Sequence, residues 1–202
     1  MTEYIISYFP ILESFGKKMF GDKFYINPND KEVISKLLSY FTQDEKASKY
    51  FGIDLNKGIL LNGSTGVGKT SLMKLMSRYS SQDTRFQMLN CRHISTHFGI
   101  EGPTIIGQYC YPDLMSQNNP NVCYDDLGAE THFNYYATSC RVMSEILLTR
   151  FDLFDNLQIK THIISNLNIN EIEDIYGQRL RSRFRKMVNL ISFPINALDK
   201  RS

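Results

Sequence analysis

The stretch GILLNGSTGVGKTS at residues 58–71 constrains this chain more than any other. Ile59, Leu60 and Leu61 lead into a segment holding Gly63, Gly66 and Gly68, and then into Lys69-Thr70. A short apolar run, then a flexible stretch, then a helix-compatible segment reads as strand, loop, helix. Gly63, Gly68, Lys69 and Thr70 fill the pattern G-x-x-x-x-G-K-[ST]. That pattern is built for phosphate. Backbone N–H groups curl around phosphate oxygens, which needs residues without a β-carbon at the tight points. The helix that follows directs its positive N-terminal end at the same anion. Lys69 adds a mobile cation for the β- and γ-phosphates, and the Thr70 hydroxyl can ligate Mg²⁺. The expected nucleotide-binding segment is therefore Gly63, Ser64, Thr65, Gly66, Val67, Gly68, Lys69, Thr70 and Ser71.

The rest of the chain fits an α/β class around that loop. Short apolar runs at 58–62, 85–89, 121–126, 161–166 and 188–193 read as strands. Helical patterns fall between them: residues 68–80, residues 135–154 with Tyr136, Cys140, Met143, Leu147, Phe151 and Phe154 in one stripe, and residues 168–186 in two pieces broken near Gly177. Such alternation predicts a five-stranded parallel sheet with both faces covered. Residues 92–120 interrupt the rhythm and are expected to hold one or two short helices. Upstream, Val33, Ile34, Leu37, Leu38 and Phe41 form the core stripe of another helix after the turn NPND at 27–30. Residues 1–29 are aromatic-rich without a clean period, so the chain divides into a short N-terminal segment, 1–29, and a P-loop domain, 30–202.

Three further clusters carry chemistry. The strand NVCYDD ends in Asp125 and Asp126. In phosphoryl transfer, the first such carboxylate holds the Mg²⁺ shell and the second orients and polarises the attacking water. Glu130 is the next carboxylate in line for the second role. The strand THIIS leads into Asn166, whose amide could meet a γ-phosphate or the attacking water, although asparagine after a strand is usually a turn residue. The segment YGQRLRSRFRKM places Arg179, Arg181, Arg183, Arg185 and Lys186 within one helical stretch, with Arg179 and Arg183 at i, i+4.

In this order, GSTGVGKT, VCYDDLG, IISN and RLRSRF resemble the Walker A, Walker B, sensor 1 and box VII motifs of the AAA+ ATPases. The similarity is to the helicase-loader and transposition-regulator branch (DnaC-like and IstB-like), with kinship to the initiator DnaA, and spans roughly residues 30–195. The resemblance implies a P-loop three-layer sandwich without a C-terminal helical lid, with ATP and Mg²⁺ as cofactors. Thr70 and Asp125 would hold the metal, Asp126 would be the catalytic acid residue and Asn166 the sensor. Arg183 would be an arginine finger acting on a neighbouring copy's nucleotide, with Arg179 in support. The implied partners are further copies of the chain, single-stranded DNA and a helicase- or transposase-type protein. Asp126 departs from the glutamate usual at its position, which points to slow turnover.

Composition narrows the alternatives. The net charge is +2, so nucleic-acid contact is inherited from the resemblance and not from a basic chain. Between residues 92 and 120 there is one arginine and no lysine. The four cysteines stand singly, as expected of free thiols in a reducing compartment. The start lacks a basic leader, and no long apolar run suggests a membrane span, so a cytoplasmic location is expected. Cys91, His93 and His97 lack an obvious fourth metal ligand. The expected activity is ATP hydrolysis. A nucleotide-switched adaptor with little hydrolysis, or a P-loop kinase with an arginine-bearing lid, are the competing readings.

Overall fold

The computed structural model describes residues 7–80, 84–111, 121–130, 134–135, 138–139 and 141–200. Helix α1 (Phe9–Phe20) is followed by a 3₁₀ turn (Pro28–Asp30), α2 (Lys31–Phe41) and α3 (Glu45–Phe51). Strand β1 (Gly58–Asn62) feeds the glycine loop, and α4 (Lys69–Tyr79) leaves it. Then come β2 (Gln87–Asn90), α5 (Cys91–Glu101), α6 (Thr104–Cys110) and β3 (Val122–Leu127). A two-stranded hairpin, β4 (Asn134–Tyr135) and β5 (Thr138–Ser139), precedes α7 (Val142–Leu157). The chain continues through β6 (Thr161–Ser165), α8 (Ile169–Tyr176), α9 (Gln178–Met187) and β7 (Val188–Ser192).

The main sheet has five strands in the order β2-β3-β6-β1-β7, all parallel. Successive residues of each strand face opposite layers. Ile59 and Leu61 join one buried cluster with Cys123, Ile164, Ile191 and the inner faces of α1, α2 and α4. Leu60 joins the other with Tyr124, Ile163, Val188 and the inner faces of α5 to α9. This is the three-layer α/β sandwich expected from the alternating pattern. The stripe Val33, Ile34, Leu37, Leu38 and Phe41 is buried, as expected of a core face. Helices α8 and α9 meet at Gly177, where φ is +87°.

Two expectations need correction. The aromatic N-terminal segment contains a regular helix, α1. Its period is masked because apolar residues lie on both faces: Phe9 and Leu12 point into the core, while Ile11, Phe15 and Met19 are exposed. The helix approaches the Phe24 ring so closely that a β-carbon on Gly16 would stand 2.1 Å from it. The long helix expected over 135–154 begins only at Val142. Asn134 and Tyr135 pair antiparallel with Ser139 and Thr138, residues that favour extended backbone over helix. Tyr136 and Cys140, assigned to the helical stripe, lie outside the described residues. Cys91, Cys110 and Cys123 are free and buried, in line with the thiol reading.

Candidate nucleotide site

All the loops that carry candidate residues leave the carboxyl ends of adjacent parallel strands, where open α/β sheets bind ligands. Register explains the convergence. Asn62, at the end of β1, lies beside Ser165 at the end of β6, and Leu127 of β3 lies beside the same Ser165. The glycine loop, the acid pair and Asn166 therefore share one edge.

Within the loop, Gly66 and Gly68 have φ of +86° and +93°, a region that side-chain-bearing residues enter only with strain. Gly68 caps α4, so the N-terminal end of that helix faces the loop. The Lys69 side chain curls back. Its ammonium donates to the Gly63 carbonyl at 2.7 Å, the Ser64 carbonyl at 2.8 Å and Asn166 Oδ1 at 2.6 Å. The structure thus brings Asn166 to the loop lysine, a contact the sequence could not supply.

The Thr70 hydroxyl donates to Asp125 Oδ1 at 3.0 Å. Asp125 is buried, and burial raises its pKa above the ordinary carboxylate value against the lowering pull of the Thr70 hydrogen bond; Asp126 nearby raises it further. A hydroxyl and a carboxylate held this close form a hard-oxygen donor pair suited to Mg²⁺. Asp126 lies within the register shift between Tyr124 and Leu127 and sits at φ +59°, unusual for a residue with a side chain. Its carbonyl accepts the Ala129 N–H at 3.0 Å. Glu130 is fully engaged: one carboxylate oxygen accepts the Gly128 N–H at 2.7 Å and the other accepts the Tyr176 hydroxyl.

Beside the loop lies a cavity of about 240 Å³ lined by Phe24, Tyr25, Ile26, Ile34, Leu72 and Lys200, among others. An aromatic and aliphatic wall next to a phosphate loop suits a planar base. The residues after β7 return across the loop. The Lys200 N–H donates to the Gly66 carbonyl at 3.0 Å, and its ammonium pairs with buried Asp30 at 2.5 Å. The Asp199 carboxylate lies so close that a β-carbon on Gly66 would stand 2.0 Å from it. The sequence offered no sign of this return.

The arginines of α9 stand apart. Arg183 donates to Asp152 Oδ1 at 2.9 Å and lies over the Phe151 ring at 4.4 Å. Arg181 pairs with Glu173, and Arg179 is exposed. With Arg185 and Lys186 they line one open cavity of about 680 Å³. Among the described residues, the recorded ion pairs of these arginines go to Asp152 and Glu173 and none to the loop or the acid pair. Residues His93 and His97 lie on α5 with their rings 5.5 Å apart, and His97 Nδ1 lies 3.1 Å from the Tyr109 hydroxyl. Among the described residues no cluster of metal-ligating side chains occurs.

Fold and site define the class first: a three-layer α/β protein with a glycine loop and an acid pair at one edge of a five-stranded parallel sheet. Among solved structures, the DnaC helicase loader superposes with a TM-score of 0.57 at 19% identity, over 86% of this chain and 95% of that one. DnaI superposes with a TM-score of 0.53 at 18% identity, over 87% and 90%. AMPPCP-bound DnaA from Aquifex aeolicus gives 0.52 at 14% identity; this chain spans half of its length. A further DnaA structure, with a TM-score of 0.54 at 13% identity, holds AMPPCP and single-stranded DNA. The chain therefore carries the fold shared by these loaders and initiators. No family model matches the sequence, and neither does any curated protein. No helix among the described residues is long and apolar enough to cross a membrane.

Proposed function

We propose that this protein binds and hydrolyses ATP and, through ATP-dependent self-assembly, loads or remodels a helicase- or transposase-type partner on DNA. The observation that carries the reading is the convergence of Lys69, Thr70, Asp125 and Asn166 through direct hydrogen bonds at one sheet edge. The fold shared with a helicase loader and with DnaA structures holding AMPPCP supports the nucleotide and the replication context. Single-stranded DNA as a partner rests on the fold shared with DnaA bound to it.

In this reading the residues divide the work as follows. The loop amides and Lys69 bind the phosphates, and Lys69 exchanges its carbonyl contacts for phosphate oxygens. Thr70 and Asp125 would hold Mg²⁺, which would supply charge neutralisation for phosphoryl transfer. Asp126 orients and deprotonates the attacking water. Asn166, already on the Lys69 ammonium, is placed to contact the terminal phosphate. Arg183, supported by Arg179, serves the nucleotide of an adjoining copy, where a planar guanidinium can bridge phosphate oxygens. Trans arginines of this kind contribute about 10³- to 10⁵-fold in rate.

The test mixes two variants, Asp126→Asn and Arg183→Ala, each expected to bind ATP and hydrolyse almost none. Under trans action, some interfaces in mixed oligomers combine an intact acid with an intact arginine, so partial activity returns. Zero activity where mixed oligomers demonstrably form refutes the trans role. One observation favours a second reading, an ATP-switched adaptor with little hydrolysis: Arg183 is held on Asp152 and Phe151 of its own chain. Single-turnover hydrolysis with and without single-stranded DNA separates the two readings.

A further inference from the structure

Asp126 occupies a left-handed backbone conformation, with φ +59°, within a strand irregularity. Such a conformation is strained for a residue with a side chain and persists only where its surroundings hold it. Three contacts hold the turn that follows. The Ala129 N–H donates to the Asp126 carbonyl at 3.0 Å. The Ser165 hydroxyl donates to the Leu127 carbonyl at 2.7 Å, tying the turn to the strand that presents Asn166. The third is Glu130, which spans the Gly128 N–H on one side and the Tyr176 hydroxyl on the other.

Tyr176 is the last residue of α8, and the next residue, Gly177, begins the arginine-bearing helix α9. The phenol is buried, 8% exposed, and burial together with the neighbouring Glu130 carboxylate keeps it protonated, so it can only donate to that carboxylate. At Gly128, where φ is +99°, the backbone runs close to Leu167: a β-carbon there would stand 2.3 Å from that side chain. The turn is thus closed from three sides, and one side is the end of the helix pair that carries Arg179, Arg181 and Arg183.

We infer that Glu130 and Tyr176 are positioning residues. Resting on the hydrolytic role given to Asp126 above, the inference is that their hydrogen bond fixes the acid turn and couples it to the arginine helix. A shift of α9 when a neighbouring copy engages it is transmitted through Tyr176 and Glu130 to the backbone that aims Asp126.

Tyr176→Phe removes one hydroxyl and keeps the ring in the core. The loss of one buried hydrogen bond corresponds to about a 3- to 10-fold change. The expected result is a fall of that size in the turnover number with ATP affinity unchanged. Glu130→Gln should act similarly, since an amide oxygen can accept from Tyr176 while the Gly128 N–H loses its partner. The double variant should lose little beyond either single one, because each breaks one half of the Gly128–Glu130–Tyr176 relay, which works only when both halves are made. A purely structural role would lower the melting temperature while leaving turnover per folded molecule intact, and that outcome overturns the inference. So does parental turnover in Tyr176→Phe alongside an inactive Asp126→Asn.

A readout independent of hydrolysis accompanies these assays. Amide hydrogen exchange over residues 126–130 should quicken by a similar factor in Tyr176→Phe without nucleotide, with β1 and β6 unaffected. If the parent hydrolyses no ATP, the functional reading fails while exchange still judges the link. Unchanged exchange across 126–130 overturns it.

Discussion

The pH dependence of stability is set in large part by one side chain, His162. Its ring lies in β6, 1% exposed, packed against Phe86 with centroids 4.7 Å apart and bordered by Tyr40 and Phe41. Its Nδ1 accepts the Ile59 N–H at 3.1 Å, and Ile59 belongs to the strand that feeds the glycine loop. Burial, with added repulsion from Lys160 and Arg150, pushes its pKa down to about 3. An unfolded histidine titrates near 6.5. The folded form therefore resists a proton that the unfolded form accepts. Stability from this residue is fully present above about pH 6.5 and is lost as pH falls toward 3. Between pH 7 and pH 5 the unfolded histidine goes from about one-quarter to almost fully protonated while the folded ring stays almost neutral, which amounts to about 2 kcal/mol. Protonation would also turn the Nδ1 acceptor into a donor facing the Ile59 N–H. His162→Asn retains a polar acceptor near Nδ1 and cannot titrate. In urea unfolding at pH 7 the variant should be the less stable protein, having lost the ring's packing. At pH 5 its deficit should shrink by about 2 kcal/mol, since other titrating groups cancel in the comparison. An equal deficit at both pH values would refute the claim that the imidazole is held neutral.

Lys69→Ala should abolish tight ATP binding, because the loop loses its mobile cation; unchanged affinity in calorimetry would remove the P-loop assignment. Arg150 is fully buried in α7 and donates to Thr161 Oγ1, the Cys110 carbonyl and the Lys160 carbonyl at 2.9, 3.0 and 2.9 Å. Arg150→Ala should destabilise by about 3 kcal/mol or more, through orphaned carbonyls and a cavity, with Arg150→Met intermediate, as read by thermal unfolding.

What the sequence made legible was what repeats locally. Four of the five buried strands could be placed within a residue or so because each is a short apolar run bounded by turn residues; β2, only partly buried, starts two residues later than expected. The glycine loop was readable because its function requires fixed residue types at fixed spacing. Helix α1 was illegible because its second apolar face blurs the period. Arg150 and His162 look like ordinary surface residues in sequence; only the assembled sheet gives the first its carbonyls and the second its N–H donor. The same holds for the site. Thr70 with Asp125 follows from motif spacing, whereas Lys69 with Asn166, Glu130 with Tyr176 and Lys200 with Asp30 join residues brought together only by the sheet order.

That sheet order also governs when the protein can come into being on the ribosome. Strand β1 emerges early, yet both its neighbours arrive over a hundred residues later: Leu60 pairs with Ile163, and Gly58 with Val188. Until β6 and β7 are synthesised, the strand beneath the glycine loop has two unpaired edges and an apolar sequence. Long-range parallel pairing of this kind is slow and leaves nascent chains open to wrong partners. The loop therefore acquires its shape late in biogenesis, only when the last strands close on its stem. Translation stalled before residue 161 should yield a chain that associates with chaperones and does not retain ATP.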